Sequence, residues 1–258
     1  MAFLKTPEEI ARIQALIAEP RYGGLKSIVV PFRTRPEVIR EVLPPGLSPT
    51  ENPVATALVT HFGSSNYTGA LEFATILVEA RHGDLTGSYA AAMYVDTEPA
   101  LIFGRELFGE PKKLASITMQ REGGRVTAEC SRLGSSILRI QAGVGDVQPV
   151  TAGQFILFNY KYQLKTGCRE MEWAPVLMRF VFDTTITRLE TGKGELTLRS
   201  GPGDRLGEFE VLETLGATHM EYDMRCRYET LGTVDPEAFL PHALSRIDDL
   251  SVFNTLGA

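Results

Sequence analysis

The residues best suited to covalent chemistry are Lys112 and Lys113, which follow Pro111 directly. A free lysine titrates near about 10.4, so close to neutral pH well under ~0.1% of it is the nucleophilic amine. Burial in an apolar pocket favours the neutral form. A neutral amine can attack a ketone and form an imine. The stretch that delivers the pair is Glu98-Pro99-Ala100-Leu101-Ile102-Phe103-Gly104-Arg105-Glu106-Leu107-Phe108-Gly109-Glu110-Pro111-Lys112-Lys113-Leu114, polar at first and then apolar. Pro111 fixes its own φ and has no N–H, which predicts a stiff segment unable to continue a sheet ladder. Gly104 and Gly109 permit sharp turns or close backbone approach. On spacing alone, two lysines after a proline read more simply as a solvated turn.

Other groups offer less. Gly201-Pro202-Gly203-Asp204-Arg205-Leu206-Gly207 is glycine-rich but carries a proline and the wrong spacing for a phosphate loop, so it reads as a turn. His61, His82, His219 and His242 have no second ligand at metal spacing in the sequence. Gly63-Ser64-Ser65 and Gly134-Ser135-Ser136 lack the frame of a nucleophile elbow. Cys130, Cys168 and Cys226 form neither a zinc spacing nor a disulfide framework, which fits a reducing cytoplasm. The first 22 residues carry early acids and no apolar run of signal-peptide type, and no stretch is long and apolar enough for a membrane span. A net charge of −6 without a basic block argues against a nucleic-acid surface.

The elements that must position the lysines are mostly strands. Thr6-Pro7-Glu8-Glu9 predicts a capped helix over 7–18, with Ile10, Ile13 and Ile17 on one face as a packing or subunit contact. A strand is expected at 26–32. Thr34-Arg35-Pro36-Glu37 repeats the capping signal before a short helix ending at Leu43. Strands then follow at 54–62, 71–81 and 87–96, and after the lysine segment at 114–121 and 125–132, with Gly123-Gly124 as the hairpin turn. Further strands are expected at 135–142, 154–164, 176–189, 194–199 and 217–229, and a last helix near 235–247. Strands in series without regular helical crossovers argue for an antiparallel α+β fold, a curved sheet or barrel, and against a dinucleotide-binding fold. At 258 residues, with no repeat or linker, one domain over 1–258 is the simplest organisation.

The run Glu-Pro-x-x-x-x-Gly-Arg-Glu-Leu-x-x-x-Pro-Lys-Lys-Leu resembles the signature of the acetoacetate decarboxylase superfamily. The resemblance implies a curved sheet or barrel with a few peripheral helices, and makes Lys112 the Schiff-base residue. Acetoacetate decarboxylase is itself a standard example of a lysine activated by its surroundings. Lys113, Arg105 and Glu106 would support it, with desolvation contributing more than the charge of Lys113, because adjacent residues in extended chain point apart. Glu72, on the otherwise apolar run 71–78, falls where the family places a pocket glutamate and is the expected proton shuttle; the bland alternative is an exposed edge-strand face. A second pocket glutamate of the family falls near Ala57 and the pocket arginine near Leu25, beside Lys26. Glu110 stands where the family often has an aromatic residue, and is expected to point away from Lys112.

The resemblance implies a lyase acting on a small keto acid with no cofactor and no metal, and, together with the amphipathic helix at 7–18, homo-oligomeric assembly. Decarboxylation of a β-keto acid comes first. An aldolase-dehydratase condensing pyruvate with an aldehyde through the same imine comes second, and a non-catalytic binding protein that kept the fold comes third.

Overall fold

The computed structural model describes residues 3–51 and 53–248. In chain order the first elements are α1 (Pro7–Ala18), β1 (Arg21–Arg33), α2 (Pro36–Val42), β2 (Ser48–Pro49), β3 (Ala55–Phe62), β4 (Ser64–Ser65), β5 (Leu71–His82) and β6 (Leu85–Val95). The lysine segment follows as α3 (Glu98–Phe108) and β7 (Lys112–Leu114). Then come β8 (Ser116–Glu122), β9 (Arg125–Arg132), β10 (Ser135–Val147), β11 (Ala152–Lys161), β12 (Val176–Leu198), β13 (Glu213–Thr214), β14 (Ala217–Thr233) and α4 (Pro236–Ser245). The expected curved, mostly antiparallel sheet with peripheral helices is the fold observed.

The strand order β11-β6-β5-β3-β1-β14-β12 closes on itself, because β11 also pairs with β12 over its whole length. The parallel contact of β11 with β6 covers only Leu157–Ser88 and Phe158–Tyr89. Above that contact β7 takes over the β6 edge, also in parallel, pairing Lys112 with Met93 and Leu114 with Val95. The far half of β12 leaves the ring to pair with β10, which carries β9 and β8 as a second, curled flap. β12 is one strand of 23 residues with a register shift between Ile186 and Arg188, where two strands were expected from sequence. The shift lets one strand bend from ring to flap without breaking.

Two cores result, one on each face of the shared strands. Leu25, Phe62, Leu71, Ala90, Met93, Leu157, Phe180, Met224 and Cys226 come from all seven ring strands and fill the ring. Ile28, Val30, Ala57, Ile76, Tyr94, Val126 and Ile140 lie on the opposite face and pack under the flap. Alternation along each strand enforces the division, since successive side chains point to opposite faces.

α1 has the expected capping box between Thr6 and Glu9, and no residue of it is buried. In α2 the cap differs from expectation: Arg35 is the N-cap, with no side-chain bond, and the Thr34 hydroxyl is buried with no partner among the described residues. Among the described residues no helix is long and apolar enough to cross a membrane.

Candidate active site

The segment carrying the lysines is a helix, a tight turn and a short strand. α3 starts with Pro99 in its first turn and ends at Gly109, whose φ of 67° is left-handed. A Cβ at Gly109 would also collide with the Tyr160 carbonyl on β11, so glycine is required twice over. Pro111 then turns the chain into the sheet. Its missing N–H does not exclude Lys112 from the ladder, contrary to expectation: Lys112 N–H bonds to Glu110 O at 2.8 Å and β7 pairs immediately afterwards.

Ladder parity decides where each candidate side chain goes. Lys112 pairs with Met93, and Met93 with Thr75, so these three share a face with Phe73 and Val95, the interior of the ring. Lys113 shares the other face with Tyr94. The two lysines therefore do point apart.

Lys112 is buried, and its Nζ lies 2.6 Å from Glu110 Oε2. This overturns the expectation that Glu110 points away. The reason is local: a carboxylate buried in an apolar ring is costly unless it meets a cation, and Lys112 is two residues away across the turn. The pair is at ion-pair distance without the alignment of a hydrogen bond, so Glu110 Oε2 is buried with no hydrogen-bond partner among the described residues. Space for the pair comes from Gly104. A Cβ there would overlap Lys112 Cδ, Glu110 Oε2 and Lys112 Nζ. Arg105 donates from Nη1 to Lys112 O at 3.0 Å, which fixes the backbone under the amine. Glu106 faces a side cavity with Arg105 and Glu110 and makes no contact with the amine.

Glu72 is not brought to Lys112. It lies on the opposite face of β5, one residue out of phase, and pairs with His61 Nδ1 at 2.6 Å. A shift of one position along a strand moves a side chain to the other side of the sheet. The interior position is Phe73 instead. Ala57 likewise belongs to the core under the flap, while Leu25 lies inside the ring and supplies no charge.

The groups that do share the interior with the pair are Tyr22, Tyr67 and Cys226, which sequence reasoning missed. The Tyr22 and Tyr67 hydroxyls are 2.8 Å apart. Burial, and then the Glu110 charge, push the Tyr67 phenol far above its usual value. Tyr22 moves the same way, through burial, Tyr67 and Glu110. Burial and the Glu110 charge push the Cys226 thiol up to about 12. All three stay protonated across the working range, so they can donate hydrogen bonds but not take up protons. Aromatic edges link Tyr67 to Phe108 and Phe108 to Phe180, so the walls of the site are apolar.

Lys113 anchors the segment from behind. Its Nζ donates to Gly203 O at 2.7 Å and pairs with Asp248 at 2.8 Å and Asp204 at 3.3 Å. Arg132 pairs with the same two aspartates, and Tyr94 donates to Asp204 at 2.9 Å. Burial raises the Asp248 carboxyl, but bonds from Arg132 and Lys113 outweigh it and hold the group below its usual value. The expected turn at 201–207 is thus also the seat of the Lys113 clamp.

Residues 5–234 match the family model described as Acetoacetate decarboxylase (ADC). A CLA biosynthesis isomerase of Lactiplantibacillus plantarum is 25% identical, over 95% of this chain and 95% of its own. Among solved structures, the acetoacetate decarboxylase of Legionella pneumophila aligns with a TM-score of 0.75 at 19% identity, covering 84% of this chain and 87% of that one. The enduracididine biosynthesis enzyme MppR, solved with the condensation product of pyruvate and imidazole 4-carboxaldehyde, aligns at 0.71 with 20% identity, covering 83% and 89%. The chain, with its buried lysine after the Glu110-Pro111 turn, belongs to the acetoacetate decarboxylase family.

Proposed function

We propose that the protein is a carbon–carbon lyase that removes carbon dioxide from a small β-keto acid through an imine on Lys112, with Glu110 carrying the protons. The observation that supports this most is the pair itself: a buried amine 2.6 Å from the buried Oε2 of a partly buried glutamate, at an apolar ring. A proton passed from Lys112 to Glu110 removes both charges at once and leaves the amine nucleophilic. The amine adds to the ketone, Glu110 returns its proton to the oxygen, and a second proton passes from the added nitrogen to that oxygen, which leaves as water.

The protonated imine then accepts the electrons of the breaking bond, and carbon dioxide departs. The interior favours that loss, since an apolar wall disfavours the substrate carboxylate and does not oppose a neutral product. The resulting enamine takes a proton at carbon, and water hydrolyses the new imine to free the ketone. Glu110, a carboxylate again once water has left, is placed to relay that proton from solvent, the one proton that the overall decarboxylation consumes. Tyr22 and Tyr67, held protonated, serve as hydrogen-bond donors in the same chamber.

A second reading keeps the imine and changes the fate of the enamine. Attack on an aldehyde followed by loss of water would make the protein an aldolase-dehydratase, and a fold neighbour captured with a condensation product supports it. Glu110 would then act on the aldehyde oxygen. Carbon dioxide release from acetoacetate and longer 3-oxo acids, compared with consumption of pyruvate plus an aldehyde, separates the two. Both readings predict that Lys112→Met abolishes turnover, and unchanged turnover in that variant would sink both.

A further inference from the structure

Beside the lysine segment, and distinct from the ring interior, lies a cavity of about 390 Å³ between the α3–β7 turn, the end of β11 and the start of the segment after α4. Its lining residues include three cations, Arg105, Lys161 and Arg246, and two acids, Glu106 and Glu110. Glu110 is already matched by Lys112. Arg105 is engaged with a backbone carbonyl.

Arg246 is the unusual member. It is 7% exposed, and among the described residues it meets no carboxylate. Its guanidinium donates to Tyr89 Oη at 2.7 Å and, at longer range, to the Gly109 and Tyr160 carbonyls at 3.3 and 3.5 Å. Its Nε is buried, with no acceptor among the described residues. Tyr89, Tyr162 and Phe239 surround it at cation–π range, which eases but does not neutralise a buried positive charge. Lys161 also has no carboxylate partner among the described residues. The same cavity is lined by Tyr162, already against the Arg246 guanidinium, and by Trp173, both flat aromatic surfaces.

We propose that this cavity is a binding site for a small organic anion with a planar body. Its negative group is held in the field of Arg246 and Lys161, and its flat part lies against Trp173 and Tyr162. A bound anion supplies the negative charge that none of the described carboxylates brings to Arg246, and a guanidinium is weakly enough hydrated to take it there. The site touches the catalytic segment at Gly109 and Glu110 yet does not require the imine, so it stands apart from the reaction proposed for Lys112.

Trp173 is the only tryptophan in the chain, so its fluorescence reports on this cavity alone. Benzoate is the probe, titrated against potassium chloride at matched ionic strength. The expected result is a saturable change in Trp173 emission with benzoate and none with chloride. Lys161→Gln, on the open wall, and Arg246→Met should each weaken it about tenfold, as expected for losing a charge-assisted contact. Binding should persist in Lys112→Met, which separates this site from the imine chemistry. A non-saturating response, an equal response to chloride, or full affinity in Lys161→Gln would overturn the proposal, even if Arg246→Met fails to fold. Loss of binding in Lys112→Met would also overturn it, by assigning the benzoate to the ring interior.

Discussion

At Lys112 an amine and a carboxylate share one buried space, and the chemistry depends on which of them holds a proton. Glu110→Gln keeps the size of the side chain but removes the proton acceptor, so turnover should fall about a hundredfold to a thousandfold while the folded state survives. A stopped-flow assay should show slowed imine formation, which places part of the loss in attack. Gly104→Ala tests the same pair sterically. Alanine in mid-helix is worth about 1 kcal/mol over glycine, whereas the new methyl drives into Lys112 and Glu110. The expected outcome is a melting temperature changed little and activity largely lost; the reverse pattern would mean that Gly104 serves the helix and not the pair. Lys112 was legible because Pro-Lys-Lys closes a long signature. Glu110 was misread because sequence does not tell on which side of a proline turn a side chain emerges. Glu72 was misplaced by one residue of strand phase, and only the ladder from Met93 to Lys112 reveals it.

At the scale of elements, α3 and β7 act as one arm gripped at both ends. Gly109 lies against β11, and Lys113 ties β7 to β9 and to the 201–204 turn. Asp204 is the hub, buried and shared by Lys113, Arg132 and Tyr94. Asp204→Asn should cost about 3 kcal/mol in denaturant unfolding, because it leaves two cations buried with only Asp248 between them. It should also reduce activity, since β7 carries Lys112. A loss within experimental error of zero would show that Asp248 alone holds the arm. The strands were readable from alternation, but the helix at 98–108 went unassigned although Pro99 and Gly109 bracket it as start and stop signals. The single long β12 was likewise invisible, because polar residues at its bend interrupt the pattern that a buried strand would show.

At the scale of the whole molecule, two cores meet across shared strands, and a charged cluster joins β8, β12 and β14. Glu190 accepts from Arg121 at 2.6 Å and Arg188 at 2.8 Å, bonds that hold its carboxyl down at about 2. Burial, and then the Arg121 charge, lower the His219 imidazole, which lies 2.9 Å from Arg121 in the same cluster. A carboxyl whose folded value lies below its unfolded one stabilises the protein fully above the unfolded value, near about 4.5, and this is lost as pH falls toward about 2. Glu190→Gln should therefore lower the melting temperature at neutral pH and flatten the acid limb between those values. An acid limb identical to that of the parent protein would exclude Glu190 as its source.

The most direct test of the central claim is borohydride reduction in the presence of acetoacetate and, separately, pyruvate, followed by intact mass and peptide mapping. An isopropyl adduct on Lys112 from acetoacetate is the predicted result, because it records both imine formation and loss of carbon dioxide before reduction. A carboxylate-bearing adduct from pyruvate alone would transfer the lysine to aldol chemistry. An adduct on any other lysine, or none from either substrate, would contradict the assignment of Lys112 as the Schiff-base residue for these keto acids.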